Sequence, residues 1–266
     1  MVQDFLKDKP TKLFLGLSAF FVANALIAES IGTKIFSLEK LIGLHPVNFS
    51  LFGQSGLAFN LTCGVLLWPL EFVMTDIVNE YYGPKAVRRI SFTAVALIAY
   101  AFLMYFIAIG VPAADFWIGS GTKNGIQNMQ ASFSAIFGQG MRIIVGSIIA
   151  FLVSQLVDVF VFHKIKKVTG EKRIWLRATG STLVSQLVDS YIVLFIAFSG
   201  VFTWQQILSF GIMNYCYKFL MALLLTPVIV LAERRIANYV GHDVAVRMKR
   251  AAMGQEDVTT PIPTAG

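Results

Sequence analysis

Acidic side chains interrupt the longest apolar stretches of this chain, and they are the residues best suited to hold a ligand or an ion. Six carboxylates lie within or at the edges of these stretches: Glu29, Glu71, Asp76, Glu80, Asp158 and Asp189. Two cations, Arg142 and Lys218, share this environment. An uncompensated charge at the centre of a bilayer costs at least ~2.5–3.5 kcal/mol. We therefore expect some carboxylates to be protonated, to bind cations or to face a water-filled cavity, and all three conditions suit a transporter.

A seven-residue sequence, LVSQLVD, occurs twice, at 152–158 and at 183–189. The copies fall on neighbouring predicted helices that run in opposite directions. Gln155 and Gln186 each lie nine residues from the nearest cytoplasmic basic residue, which places both at a depth of ~13–14 Å. The two amides can face each other or a ligand between them. The same Ser and Gln side chains would also serve simply to hold a helix pair together.

Two amides and a carboxylate suit a ligand with a guanine-like edge. A carboxylate accepts hydrogen bonds from a ring N–H and an exocyclic amine, whereas Gln both donates and accepts. Aromatic side chains that could stack on such a ring are Trp68, Phe72, Tyr191 and Tyr215. The same residues would also hold a sugar or an amino acid, so residue chemistry alone predicts a polar or zwitterionic small solute.

Long apolar helices must position these side chains. The chain has 266 residues, 56% hydrophobic and 14% charged, whereas soluble domains are about 25% charged. This composition excludes a water-soluble protein. Six apolar stretches are each long enough to cross a ~30 Å hydrocarbon core: 13–31, 55–79, 90–111, 134–162, 175–199 and 204–232. We expect Pro69 to kink the second helix and Gly83-Pro84 to end it.

The basic residues predict the orientation of the helices. Seventeen Lys and Arg lie on one side of the predicted spans and three on the other. By the positive-inside rule, both termini are cytoplasmic, and no basic patch is left to bind nucleic acid. The predicted fold is an all-α integral membrane protein with six transmembrane helices. It divides into a cytoplasmic N-terminus (1–12), a transmembrane transporter domain (13–235) and a cytoplasmic C-terminal tail (236–266), whose end we expect to be disordered.

Several segments resemble one known family. The segment WPLEFVMTDIVNEYYGPKAVRR, at 68–89, resembles the signature of the queuosine precursor transporter family, also described as the vitamin uptake transporter family. Later pieces follow in the family's order: Arg142 before the first SQLVD, WLRATGSTLVSQLVDSYIVLFIAFSG at 175–200 and YKFLMALLLTP at 217–227. Asn24 and Lys34 match the Asn and Lys of the family's first helix.

This resemblance implies a multi-pass protein of the cytoplasmic (inner) membrane that imports 7-deazaguanine precursors of queuosine for tRNA modification. The precursors are the 7-cyano form, the 7-aminomethyl form or queuine. By matching motif, it implies functional positions at Asp76, Asn79, Glu80, Arg177, Ser181, Gln186, Asp189 and Lys218. The resemblance leads us to expect a neutral residue at the position of Glu71. Glu71 therefore either takes part in the family's mechanism or helps this protein to select its own substrate.

The candidate site combines these observations. The predicted substrate-binding residues are Gln155, Gln186, Asp189, Asn24, Glu71, Asp76, Ser181, Tyr191, Asn214, Lys218 and Trp68. The predicted gating or structural residues are Pro69, Asn79, Glu80, Arg142, Asp158 and Arg177. The hypothesis is alternating access, in which Asp189, Gln155 and Gln186 bind the guanine-like face. In the empty site, Lys218 would neutralise the charge of Asp189 or Glu71. The excess of carboxylates suggests that a proton could accompany the substrate.

Other functions fit less well. A substrate-binding subunit that requires an energising ATPase module is the main alternative, because S components of this kind have the same helix count and Ala19 and Ala23 could dock a partner helix. The chain has no ATPase motif of its own. Its three His are scattered, so we predict neither an enzyme nor a metal or cofactor site. A channel is disfavoured by the lack of a repeated pore loop. The expected partners are the deazaguanine base and the lipid bilayer, with a homodimer left open.

Overall fold

The computed structural model describes residues 8–138, 141–170 and 174–254, without the side chains of 141, 142 and 174. Within these ranges the protein is mostly helical. Five helices are long and apolar enough to cross a membrane. They are α1 (Lys9–Ile31), α3 (Trp68–Gly110), α6 (Met141–Thr169), α7 (Ile174–Phe198) and α8 (Trp204–Val240). Shorter helices are α2 (Leu38–Leu41), α4 (Asp115–Ile118), α5 (Met129–Phe137) and α9 (His242–Ala252).

Helix α3 is 43 residues long and is broken at Gly83, whose φ of 79° and ψ of 177° are non-helical. Only glycine adopts this conformation readily, which confirms the predicted break. Asn24 on α1 donates to Glu71 at 2.9 Å, and Ser30 on α1 shares a 3.1 Å hydrogen bond with Tyr105. Glu71 and Tyr105 would lie ~50 Å apart in a straight helix, whereas their two partners on α1 are only ~9 Å apart. The chain therefore reverses direction at Gly83, and both halves of α3 pack beside α1.

The segment before α3 differs from the prediction. Residues 55–67 were expected to begin a helix, but they belong to two antiparallel strand pairs and a 3-10 turn (Cys63–Leu66). Strand β1 (Ile35–Ser37) pairs with β4 (Asn60–Thr62), and β2 (Phe49–Leu51) pairs with β3 (Gln54–Leu57). Glu39 fixes this loop by accepting the backbone N–H of Phe59 at 2.7 Å.

Pro69 lies in the first turn of α3. Its missing N–H has no intrahelical partner at that position in any helix. The predicted kink at Pro69 is therefore wrong, and Pro69 instead helps to start the helix. The predicted fourth span is also divided, because residues 134–137 belong to α5 and the spanning helix α6 starts at Met141.

The remaining helices form a bundle around these elements. Helices α6 and α7 pack along each other, and α7 in turn packs against α8. The amphipathic helix α9 returns to α3, where the backbone of Ala252 lies against Gly83. Large apolar side chains such as Phe106 (71% exposed) and Phe160 (67%) stand on the outer surface, as expected where helices face lipid.

Candidate functional site

A cavity of about 450 Å³ opens between α3, α7 and α8. Its walls are mostly apolar, with Trp68 and Phe72 on the α3 side. Its polar side chains are Asp76, Thr179, Thr182, Gln186 and Lys218. The structure thus brings five of the predicted residues to one cavity: Trp68, Pro69, Asp76, Gln186 and Lys218.

Two of the cavity's polar side chains lack hydrogen-bond partners among the described residues. Both carboxylate oxygens of the buried Asp76 are unpartnered, and so is the amide nitrogen of the buried Gln186. Buried polar groups in folded proteins nearly always have a partner. The cavity therefore offers two acceptors and one donor to a bound molecule or to water.

Lys218 connects the cavity to Asp189, to which its ammonium donates a hydrogen bond. Asp189 is partly exposed and also accepts from Ser154 at 3.4 Å. Tyr191 donates to the carbonyl of Leu208 at 3.4 Å. Its ring lies directly against Gly211, where an added Cβ would be 2.5 Å from a ring carbon. Asn214 is half-buried on α8.

The two LVSQLVD copies pair reciprocally. Ser154 of the first copy donates to Asp189 of the second, and Ser185 of the second donates to Asp158 of the first at 3.1 Å. This arrangement follows from two antiparallel helices that carry the same sequence at matching heights. It was not anticipated from the sequence, although the repeat itself was the signal for it. Only Asp189 of the two aspartates has a basic partner in the described part of the chain.

A cluster of charges surrounds Glu80, one helical turn from Asp76 toward Gly83. The fully buried Arg177 donates to Glu80 through Nε at 3.1 Å and through Nη2 at 2.5 Å. Lys166, also buried, lies 3.0 Å from Glu80, and Lys249 of α9 lies 3.7 Å away. Lys249 also pairs with Glu233. This cluster joins α3, α6, α7, α8 and α9.

Other predicted residues lie elsewhere. Asn24 bonds to the fully buried Glu71 at the interface of α1 and α3. Gln155 accepts from Thr75 at 3.1 Å and lines a separate cavity of about 220 Å³ between α3 and α6. Gln155 and Gln186 are therefore on different cavities.

Two more predicted residues, Asn79 and Ser181, form hydrogen bonds outside the larger cavity. Asn79 bonds to His163 at 2.8 Å. Ser181 is buried and donates to the carbonyl of Ala178 within its own helix. The side chain of Arg142 lies outside the described residues.

Sequence reasoning missed four contributors. Thr179 and Thr182 line the cavity with Gln186, and their spacing along α7 puts all three on one helix face. That periodicity could have identified them. Lys166 and Lys249 were counted only as cytoplasmic charges, and nothing in their local sequence signals that they reach Glu80.

A bundle of apolar helices around a cavity that holds a few polar side chains, with buried charges beside it, has the architecture of a membrane transporter. Residues 62–232 match the family described as "Putative vitamin uptake transporter". The chain belongs to this family, which confirms the resemblance found from the motifs. The protein is accordingly a multi-pass membrane protein of a transporter family and not an enzyme.

Named relatives support this assignment. The chain is 31% identical to the "Probable queuosine precursor transporter" of Bacillus subtilis (strain 168), over 66% of this chain and 73% of the relative. It is 28% identical to the "Queuosine precursor transporter" of Escherichia coli (strain K12), over 70% of this chain and 79% of the relative. A relative from Haemophilus influenzae, with the same "probable" description, is 24% identical over 66% of this chain and 69% of its own length. No solved structure matches the chain.

Proposed function

We propose that this protein imports a queuosine precursor, a 7-deazaguanine base, across the cytoplasmic membrane by alternating access. The names of the relatives support the substrate class. The cavity lined by Trp68, Asp76 and Gln186 is the proposed binding site. It lies between helices of the bundle, where transporters hold their substrates.

The proposed topology has six spans and cytoplasmic termini. The reversal of the chain at Gly83 supports it, because each half of α3 then counts as one span beside the other four long helices. The proposed orientation is supported by an excess of basic residues in three places: at the Gly83 turn, between α6 and α7, and after α8. Basic residues are enriched on the cytoplasmic side of membrane proteins.

One observation carries the recognition proposal: Asp76 and Gln186, whose buried polar atoms lack hydrogen-bond partners among the described residues, both line one cavity that also contains aromatic rings. The two oxygens of Asp76 suit the ring N–H and exocyclic amine of a guanine-like base. The amide of Gln186 suits its carbonyl oxygen, and Trp68 or Phe72 provides a surface for stacking. Asp76 fits this role better than Asp189, because Asp189 already pairs with Lys218.

A binding experiment tests this proposal. Purified protein is titrated with 7-deazaguanines, guanine and unrelated vitamins. We expect Asp76→Asn to weaken deazaguanine binding about 10- to 100-fold, because a hydrogen bond to a charged group contributes ~1.5–3 kcal/mol. The matched control is Asp115→Asn, which removes the same charge from an exposed position on α4 and should bind normally.

Two results would contradict the proposal. Tight binding of an unrelated vitamin, with none of deazaguanines, would refute the substrate class. Loss of binding in Asp189→Asn but not in Asp76→Asn would refute the assignment of Asp76. The alternative, a binding subunit that needs an ATPase partner, has one structural observation in its favour: Ala19 and Ala23 are both exposed on α1. Uptake by the chain alone in liposomes would exclude it.

A further inference from the structure

The two aspartates of the LVSQLVD repeat have equivalent serine partners but unequal charge environments. Asp189 is partly exposed and is paired with Lys218. Asp158 is fully buried, and the structure describes no basic side chain within ion-pair distance of it. Ser185 donates to its Oδ1, whereas no described donor lies within hydrogen-bond distance of Oδ2, although the Ser181 hydroxyl is close to this carboxyl group. An ionised carboxylate in this position would be strongly destabilised, whereas a protonated one would not.

We propose that Asp158 carries, on Oδ2, a proton that crosses the membrane together with the substrate. The proposal rests on the proposed transport function and assigns its coupling site. It goes beyond the general possibility of proton coupling, because it names the residue, the atom and the path from the cavity.

The charged side chains described at this end of the bundle, beside the two aspartates, come from five helices. They are Glu80 on α3, Lys166 on α6, Arg177 on α7, Glu233 on α8 and Lys249 on α9. Arg177, Lys166 and Lys249 are all directed at Glu80. His163 is bonded to Asn79 rather than to a carboxylate.

This described group therefore contains four carboxylates and three basic residues. Asp76, Glu80, Asp158 and Glu233 exceed Arg177, Lys166 and Lys249 by one negative charge. A single proton makes the group neutral. Hydrogen bonds between Thr75 and Gln155 and between Asn79 and His163 join α3 to α6 on either side of the two aspartates. Asp76 and Asp158 therefore lie at the same level of adjacent helices and form the pair over which that proton is distributed, since two close buried carboxylates do not both ionise readily.

Substrate binding determines which aspartate holds the proton. Asp76 lines the cavity and must be ionised to accept two N–H groups of a base. On the outer side the pair takes up one proton through Asp76, and the proton moves to Oδ2 of Asp158 when the base binds. On the inner side the base leaves, the proton returns to Asp76 and is released through the cavity, and the empty carrier goes back without it. Each transport cycle then moves one base and one proton in the same direction.

The test uses the full-length protein in proteoliposomes with a labelled 7-deazaguanine. A pH gradient of one unit should drive an about tenfold accumulation by the wild type if one proton is coupled, since tenfold corresponds to about 1.4 kcal/mol. A pH dye inside the vesicles should report proton entry with the substrate. Asp158→Asn, a neutral replacement of the same shape, should retain substrate exchange at equal pH but lose both gradient-driven accumulation and proton entry.

Controls separate the possible outcomes. Asp115→Asn should behave as the wild type, and Asp158→Ser, a second neutral replacement, should reproduce Asp158→Asn. Accumulation driven by Na⁺ and not by protons, or net uptake by the wild type without proton entry, would overturn the coupling proposal and leave the proposed function intact. Full accumulation by Asp158→Asn would overturn the assignment to Asp158. A wild type that neither binds nor exchanges any deazaguanine would instead refute the proposed function.

Discussion

Replacing Arg177 with Met should destabilise the helix bundle by about 3–5 kcal/mol, the usual cost of removing one partner from a buried ion pair. Met fills much of the same volume but cannot neutralise Glu80. Both side chains of the pair are fully buried, so no water replaces the lost guanidinium.

The contacts of Arg177 indicate where in this range the value should fall. The two Arg177–Glu80 hydrogen bonds, at 3.1 Å and 2.5 Å, form a bidentate pair, which is stronger than a single charged contact. Arg177 also donates to the carbonyl of Gly170 at 2.8 Å and so fixes the end of α6. Lys166 remains 3.0 Å from Glu80 in the variant and offsets part of the loss. We therefore expect a value near the lower end, about 3 kcal/mol.

The assay is denaturant unfolding of purified protein in mixed micelles, followed by circular dichroism. A double-mutant cycle with Glu80→Gln measures the coupling between the two side chains, which should exceed about 1 kcal/mol if they act as a pair. Lys249→Met is the matched control. Lys249 lies farther from Glu80, at 3.7 Å, and is partly exposed, so its loss should cost only about 1 kcal/mol.

Two outcomes would refute this reasoning. Equal destabilisation by Arg177→Met and Lys249→Met would mean that burial and bidentate geometry do not set the strength of the contact. Additive effects of Glu80→Gln and Arg177→Met would mean that Arg177 stabilises the fold through its other contacts alone.

Two glycine substitutions give further tests by the same unfolding assay. Gly83→Ala should lower the free energy of unfolding by about 1–3 kcal/mol, because a φ of 79° with a ψ of 177° is nearly restricted to glycine. The new Cβ would also lie 3.2 Å from the carbonyl oxygen of Ala252. An unchanged stability would contradict the described turn. Gly211→Ala should lower the free energy of unfolding by about 1–3 kcal/mol, because the new Cβ overpacks against Tyr191. Gly110→Ala is the control and should leave stability unchanged, because a Cβ there meets nothing within 4 Å.

The long helices could be predicted because lipid imposes a simple requirement on them. A segment that crosses a bilayer must bond its backbone internally and present apolar side chains, so composition alone reveals it. The same criterion failed at residues 55–67, which are apolar but form strands and a 3-10 turn. Gly56, with a φ of 74°, and the pairing of β4 with β1 depend on contacts that hydropathy does not report. Pro69 was misread for the same reason, since its effect depends on where the helix starts.

The site was only partly predictable. Counting residues from the cytoplasmic bases gives the depth of a side chain but not the direction in which it points. Gln155 and Gln186 hold the same position in the repeat and were expected to face each other or one ligand, yet they line different cavities, because the rotation of each helix is set by all of its neighbours. Asp76 and Lys218 were selected for charge and depth, and both line the larger cavity.

The spacing of Asp76 and Glu80 explains how one helix, α3, contributes both to a buried ion-pair cluster and to the lining of the cavity. The two carboxylates are one turn apart on α3, yet the described basic residues that contact this region are directed at Glu80. If Arg177 reached Asp76 instead, its guanidinium would satisfy the acceptors that the substrate requires. Because Arg177 lies near the start of α7, its long side chain reaches Glu80 and the carbonyl of Gly170 beyond the end of α6. Asp76 and Asp158 thereby have no ion-pair partner among the described residues, because Lys218, the cation that lines the cavity, pairs with Asp189. A base and a proton can supply the missing partners.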